Sequence, residues 1–308
     1  MTTLRKSSIV FILMIVFAAG VYTQRTQILD WYRTLSKPDL PVSLEYQQML
    51  IQDQKEKEAA QGLVPEQEEE INRDEEEPLS EETVIVEEPA PTQPQEPVVQ
   101  EPVAQPTQET VPEPATVPAS LNLAVPFTSQ APHGNWDEPY QEACEEASLY
   151  MTQQYYAGQP EGKIDADRAS EGLLNIVAFE RELFGYYEDT TAEQTGLLAE
   201  SMFGLTSRLI QNPTIDDIKN ELVLGHPVIV PAAGRLLGNP YFTAPGPIYH
   251  MLVIRGYTSD NQFIVNDPGT SHGEAFLYDF DTIFYAMHDW NNGEEITQGA
   301  KTILILSP

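Results

Sequence analysis

The chain has 308 residues, 48 of them acidic and 16 basic, with a formal charge of −32 and a sequence pI near 4.2. Nucleic acid and anionic membrane surfaces both demand a basic face, so neither is an expected partner. The single cysteine, Cys144, excludes an internal disulfide and leaves two readings, an inert buried residue or a reactive thiol.

Arg5 and Lys6 precede an uninterrupted apolar run from Ile9 to Tyr22. Basic residues ahead of such a run predict a cytoplasmic amino end with everything after it outside the cell. Residues 1–24 therefore read as an N-terminal membrane anchor, with Trp31 and Tyr32 suited to the interface. The alternative is a removable signal cleaved near Ala18-Ala19-Gly20, which would make the protein secreted. Residues 25–62 read as a juxtamembrane segment, in which Ser43 to Gly62 predicts a polar helix.

Residues 63–119 are dominated by Glu, Pro, Gln, Thr and Val, with acidic runs such as Asp74-Glu75-Glu76-Glu77. Such a segment buries too little apolar surface to offset its ordering entropy, and it reads as a disordered linker. Its Pro-spaced part, Pro89 to Pro118, would extend roughly 90 Å at ~3.1 Å per residue.

The texture changes at residue 120. Leu121, Leu123, Val125 and Phe127 alternate as in a strand. A Pro/Gly/Asn loop follows, then a helix from Cys144 to about Tyr156 with Cys144, Ser148, Met151 and Tyr155 on one buried face. Further helices are predicted over Asp167–Tyr186, Thr191–Met202 and Thr214–Leu224, the last with Thr214 as N-cap and Gly225 as stop. The period then switches to strands at Pro227–Ala232, Tyr249–Tyr257, Gln262–Asn266 and Lys301–Leu306, with a helix over Asp279–Trp290. Helices first and antiparallel strands afterwards predict an α+β domain over 120–308.

Tyr249–Tyr257 and Gln262–Asn266 flank Thr258-Ser259-Asp260-Asn261, a hairpin signal. A symmetric turn pairs Tyr257 with Gln262 and Leu252 with Asp267. Asp267 then lies diagonally beside His250 on one face, and a one-residue slip would remove it. A thiol at a helix start, a histidine and a carboxylate are the nucleophile, base and orienter of thiol catalysis.

The blocks Val125-Pro126-Phe127-Thr128-Ser129-Gln130, Ala143-Cys144-Glu145-Glu146-Ala147-Ser148, Gly225-His226-Pro227-Val228-Ile229-Val230, Tyr249-His250-Met251-Leu252-Val253-Ile254 and Val265-Asn266-Asp267-Pro268-Gly269 resemble the papain-fold cysteine peptidase family 39-like domains. Those are relatives of the peptidase that trims double-glycine leaders from bacteriocins. The resemblance spans about Leu121 to Leu306 and implies a papain-like fold and a peptide or amide substrate. It implies Cys144 as nucleophile, His250 as general base, Asp267 as orienter and Gln130 as oxyanion donor, with Gln141 the alternative donor. Two departures stand out. Glu145 replaces the usual glycine after the cysteine, and Glu138 occupies the usual glutamine position.

Glu142, Glu145 and Glu146 beside the thiol oppose its ionisation. The expectation is that they lie exposed and screened, so that an imidazolium partner prevails. No zinc, calcium or phosphate-binding signature is present, and no cofactor is expected. His133, His226, His272 and His288 read as surface or packing residues, and Trp136, Tyr241, Phe242 and Tyr249 as core more than cleft. The resulting expectation is an extracellular, membrane-anchored cysteine peptidase or amidase. The alternative is a catalytically silent binder of peptide or cell-wall polymer with the same fold.

Overall fold

The structure, a computed structural model, describes residues 38–60, 117–293 and 295–308. The expected anchor at 1–24 and nearly all of the expected linker at 63–119 lie outside the described residues. Among those described, no helix is long and apolar enough to cross a membrane. The chain divides into two units, one comprising Met1–Gln54 with Thr116–Pro308 and the other Lys55–Ala115. Of the second, only the end of helix α1 (Tyr46–Ala60) is described.

The first unit is α+β. Its strands are β1 (Leu121–Asn122), β2 (Thr206–Gln211), β3 (Val228–Ala233), β4 (Tyr249–Tyr257), β5 (Gln262–Asn266), β6 (Phe276–Asp279) and β7 (Thr302–Ser307). They form one antiparallel sheet in the order β2-β7-β3-β4-β5-β6, with β1 pairing the far end of β4. Helices α2 (Cys144–Tyr156), α3 (Ala166–Phe184) and α4 (Ala192–Phe203) pack together, and α2 and α4 also lie on the sheet. Helix α5 (Ile215–Val223) packs on β3 and β4, and α6 (Phe280–Ala286) follows β6.

Local chemistry accounts for the helix starts. Asp165 caps α3 by accepting from the Arg168 N–H at 3.1 Å, and Thr191 and Thr214 open α4 and α5 with reciprocal capping boxes. Helix α2 differs from the one-face expectation. All of its residues except Gln153 and Tyr156 are buried, Glu145 and Glu146 included. It is the central helix, enclosed by α3, α4 and β4, so periodicity alone understates its burial.

Two strands escape the sequence pattern. β2 and β6 are the outermost strands on the sheet path, and both are half exposed, which leaves little hydrophobic alternation to read. The expected strand from Leu121 to Phe127 narrows to Leu121–Asn122, continued by isolated bridges at Leu123 and Phe127. The polar helix expected in the juxtamembrane segment forms, and the chain leading into it belongs to the folded unit. The Leu44 N–H bonds the Asn122 carbonyl at 2.9 Å, the Ala124 N–H bonds the Leu44 carbonyl at 2.8 Å, and the Tyr46 ring packs edge-on against Tyr155 and Tyr156. Of the apolar residues of this segment, Tyr46 and Met49 pack on the core, while Val42, Leu50 and Ile51 stay exposed.

The β4–β5 register reaches the expected pairing by an unexpected route. At the turn Tyr257 faces Phe263, one residue off the symmetric pairing. A bulge between Ile254 and Gly256 absorbs that residue, and beyond it Val253 faces Asn266. Continuing the ladder sets Leu252 opposite Asp267. Arg255, the extra residue, is fully buried and donates to Asn122 Oδ1 at 3.0 Å and the Val125 carbonyl at 3.1 Å, with Glu161 as its ion-pair partner.

Candidate active site

Cys144 is the first residue of α2, where backbone N–H groups have no intrahelical acceptor. The helix start is held from behind by Gln130, whose side-chain amide donates to the Tyr140 and Gln141 carbonyls at 3.0 and 2.8 Å. Cys144 is 7% exposed and lines a cavity of about 810 Å³ that Gln130, Glu145, Tyr249, His250 and Trp290 also line. The helix packs against β4, and the Met251 N–H, at the residue after His250, acts on the sulfur to favour its thiolate.

His250 is fixed on three sides. Its Nε2 lies 2.8 Å from Asp267 Oδ1, the Phe242 ring meets it edge-on at 5.4 Å, and Gly269 covers its other flank. A Cβ at Gly269 would stand 2.9 Å from His250 Cε1 and 2.8 Å from Phe242 Cε1, so a side chain there displaces the imidazole. Asp267 is fully buried and also accepts from Asn239 Nδ2 at 2.9 Å, the Tyr278 hydroxyl at 2.6 Å and the Gly269 N–H at 3.0 Å. Burial works to raise its carboxyl. The charge and hydrogen bond of His250, with the Tyr278 and Gly269 bonds, outweigh it and hold Asp267 below the usual carboxylate range. The arrangement leaves Nδ1 as the ring nitrogen free to exchange a proton.

The thiol faces elsewhere. Its S–H donates to Glu145 Oε2 at 3.0 Å, and among the described contacts it makes no hydrogen bond to His250. Glu145 and Glu146 are 1% and 0% exposed, so the expectation of screened surface carboxylates is corrected. Burial first, then the charge and hydrogen bond of Glu145, then the charge of Glu146, push the thiol well above its ordinary range, while the Met251 N–H opposes them. These effects favour the neutral thiol over the thiolate. Gln130 also differs from the expected oxyanion donor. Both amide hydrogens are committed to carbonyls, and it is the oxygen, Oε1, that is left without a partner. Gln141 donates to Glu142 Oε1 at 3.1 Å.

A family model described as Peptidase_C39 like matches residues 122–294, the greater part of the chain. The chain belongs to this C39-like peptidase family. Solved structures similar to it include a protein from Bacillus anthracis described as a C39-like peptidase, 16% identical over 61% of this chain and 98% of that one, with a TM-score of 0.39. A prointerpain A fragment from Prevotella intermedia is 14% identical over 63% of this chain and 74% of that one, with a TM-score of 0.39. No curated protein matches.

Several residues of this C39-like site carry no signal in the sequence. Asn239 and Tyr278 reach Asp267 from a loop and from an edge strand, 28 and 11 residues away along the chain. Asp189, in the loop before α4, lines the cavity, and its carboxyl is raised to about 6 by burial and by Glu142 and Glu188. His272, read as a surface or packing residue, stacks on Tyr241 at 4.3 Å at the cavity wall. Trp136, Tyr241, Phe242 and Tyr249 line the cavity as well; Phe242 and Tyr249 are buried at the same time.

Proposed function

We propose that this C39-like domain is a thiol peptidase or amidase that works through Cys144, His250 and Asp267. It would be held outside the cell by the anchor and linker read from residues 1–119. The observation that carries the reading is the buried His250–Asp267 pair at the wall of the same cavity that Cys144 lines. In the reaction, rotation about the Cys144 Cα–Cβ bond turns the sulfur from Glu145 towards His250. Nδ1 takes the thiol proton as sulfur attacks the substrate carbonyl carbon. The oxyanion is met by backbone N–H at the start of α2, including that of Cys144. His250 then returns the proton to the departing amine, and water hydrolyses the thioester.

The competing reading, a silent binding domain, is favoured by one observation, the Cys144–Glu145 hydrogen bond that stabilises the neutral thiol. Digestion of a peptide library by the full chain and by Cys144→Ala separates the two. Cleavage that disappears in the variant supports the enzyme. Wild-type protein that cleaves nothing, while still retaining peptides on a column, supports the binder.

A further inference from the structure

The cavity wall is acidic. Glu142, Glu145 and Asp189 line it together with Cys144, and no lysine or arginine lines it. The three carboxylates sense one another. Burial is the main cause that raises the Asp189 and Glu145 carboxyls; Glu142 adds to the first, and Glu180 and then Asp189 add to the second. Two residues that line the cavity each carry a buried acceptor with no partner, Glu145 Oε1 and Gln130 Oε1, on side chains of residues 1% and 4% exposed. Gln130 is not acidic and comes from a different loop, so it is an observation independent of the carboxylates. A buried acceptor without a donor is costly, and two on residues that line one cavity favour an occupant that brings N–H groups. Aromatic faces at the same cavity, Trp136, Tyr249 and Trp290, suit a cation as well.

We propose that the Glu142–Glu145–Asp189 wall, with the Gln130 carbonyl, is a subsite for a positively charged group of the substrate, seated beside the Cys144 sulfur. This deepens the peptidase reading of Cys144 and rests on it for the word substrate. The group is an ammonium or guanidinium and has two sources in a peptide, a lysine or arginine side chain or a free α-amino terminus. Its arrival pairs Glu145, which otherwise holds the thiol, and supplies the donors both orphan oxygens lack. Glu142 and Asp189 are specificity residues in this scheme.

Cys144 is the only thiol in the chain, so it reports the charge of its own cavity. The full chain is treated with 2-aminoethyl, 2-sulfonatoethyl and methyl methanethiosulfonate, and Cys144 modification rates are normalised to the neutral reagent and to a small free thiol. The expected result is a cation-over-anion preference of roughly tenfold or more, as a cleft lined by one sign of charge concentrates the opposite ion. Asp189→Asn and Glu142→Gln, separately and together, should reduce it. Asn tolerates the left-handed backbone at position 189, where φ is 52°, so that variant keeps the loop. An unchanged neutral-reagent rate shows each variant folded. Equal rates for cation and anion in the wild type overturn the proposal, as does a preference untouched by both variants.

Peptide substrates then identify the source. Higher kcat/KM for lysine or arginine over glutamine at one position, lost in Asp189→Asn, assigns the side chain. Dependence on an unacetylated amino terminus assigns the α-ammonium. Charge preference at Cys144 without cleavage of any peptide leaves the cation subsite standing and sinks the peptidase reading instead.

Discussion

Glu180→Gln should make the protein more stable at pH 8 while doing far less at pH 5. Glu146 from α2 and Glu180 from α3 meet in the core, both 0% exposed, and among the described residues neither has a cationic partner. Burial raises the Glu180 carboxyl to about 7, with the neighbouring Glu146 and Thr190 side chains pulling it down and Glu188 pushing it up. The folded value lies above the unfolded one. Glu180 protonation therefore stabilises the fold below pH ~4.5, and that contribution is lost as pH rises through about 7. At pH 5 it retains roughly 2–3 kcal/mol and at pH 8 almost none, since each pH unit between the unfolded and folded values is worth ~1.4 kcal/mol. Glutamine never ionises, so the variant does not lose this contribution across the window. For a domain of this size ~1 kcal/mol moves Tm by about 2–4 °C. The difference in Tm, variant minus wild type, should accordingly be more positive at pH 8 than at pH 5 by roughly 5–10 °C. Asp267 does not confound the comparison. Its carboxyl is depressed, so its contribution is lost only as pH falls below the usual carboxylate range. Thermal unfolding of both proteins at the two pH values is the assay. A Tm difference that is the same at pH 5 and pH 8 refutes the account of a buried, proton-dependent pair behind the cysteine helix.

Other consequences are local to the site. Glu145→Gln removes a charge that opposes thiolate formation, and iodoacetamide alkylation of Cys144 at pH 7 should rise severalfold to about tenfold; an unchanged rate would mean that Glu145 does not hold the thiol. Asp267→Asn sets an amide N–H2 among donors and leaves His250 without its carboxylate. It should lower kcat by two to four orders of magnitude and cost about 1–3 kcal/mol in unfolding free energy, read by peptide hydrolysis and by urea titration. Gly269→Ala inserts a methyl against His250 and Phe242 and should cost about 1–3 kcal/mol, with kcat reduced more than KM.

How much of this was legible in the sequence depended on whether the deciding interaction was local. The start of α5 was readable because Thr214 caps an N–H group only three residues away, as Asp165 and Thr191 do for α3 and α4. The His250–Asp267 pairing was readable in outcome but not in path. A turn one residue off symmetry and a bulge at Arg255 compensate for each other, and only a buried arginine facing Asn122 and Val125 shows why the bulge is there. The surroundings of Cys144 mislead because Glu142-Ala143-Cys144-Glu145-Glu146 has the composition of a solvated helix start. Their burial comes from α3, α4 and β4 closing around α2, which nothing in that stretch encodes. Asn239 and Tyr278 were invisible for the same reason: each reaches Asp267 through the fold and not through spacing.

Burial of that stretch changes the chemistry that follows. A cysteine at a helix start gains about 0.3–1 kcal/mol for its thiolate from the dipole, up to ~2 in a partly buried setting. Removing that thiolate from water costs more, since effective penalties for a buried ion run to several kcal/mol. Two adjacent buried carboxylates add to the cost. The dipole alone does not offset that cost, so burial and the two carboxylates favour S–H over a standing thiolate–imidazolium pair. A reaction at this site therefore starts from S–H, and the proton must leave as the carbon–sulfur bond forms. That requirement gives Asp267 its importance. A base that takes a proton only at the moment of attack has to be held in one tautomer with Nδ1 open, which is what a buried carboxylate on Nε2, backed by Asn239, Tyr278 and the Gly269 N–H, provides.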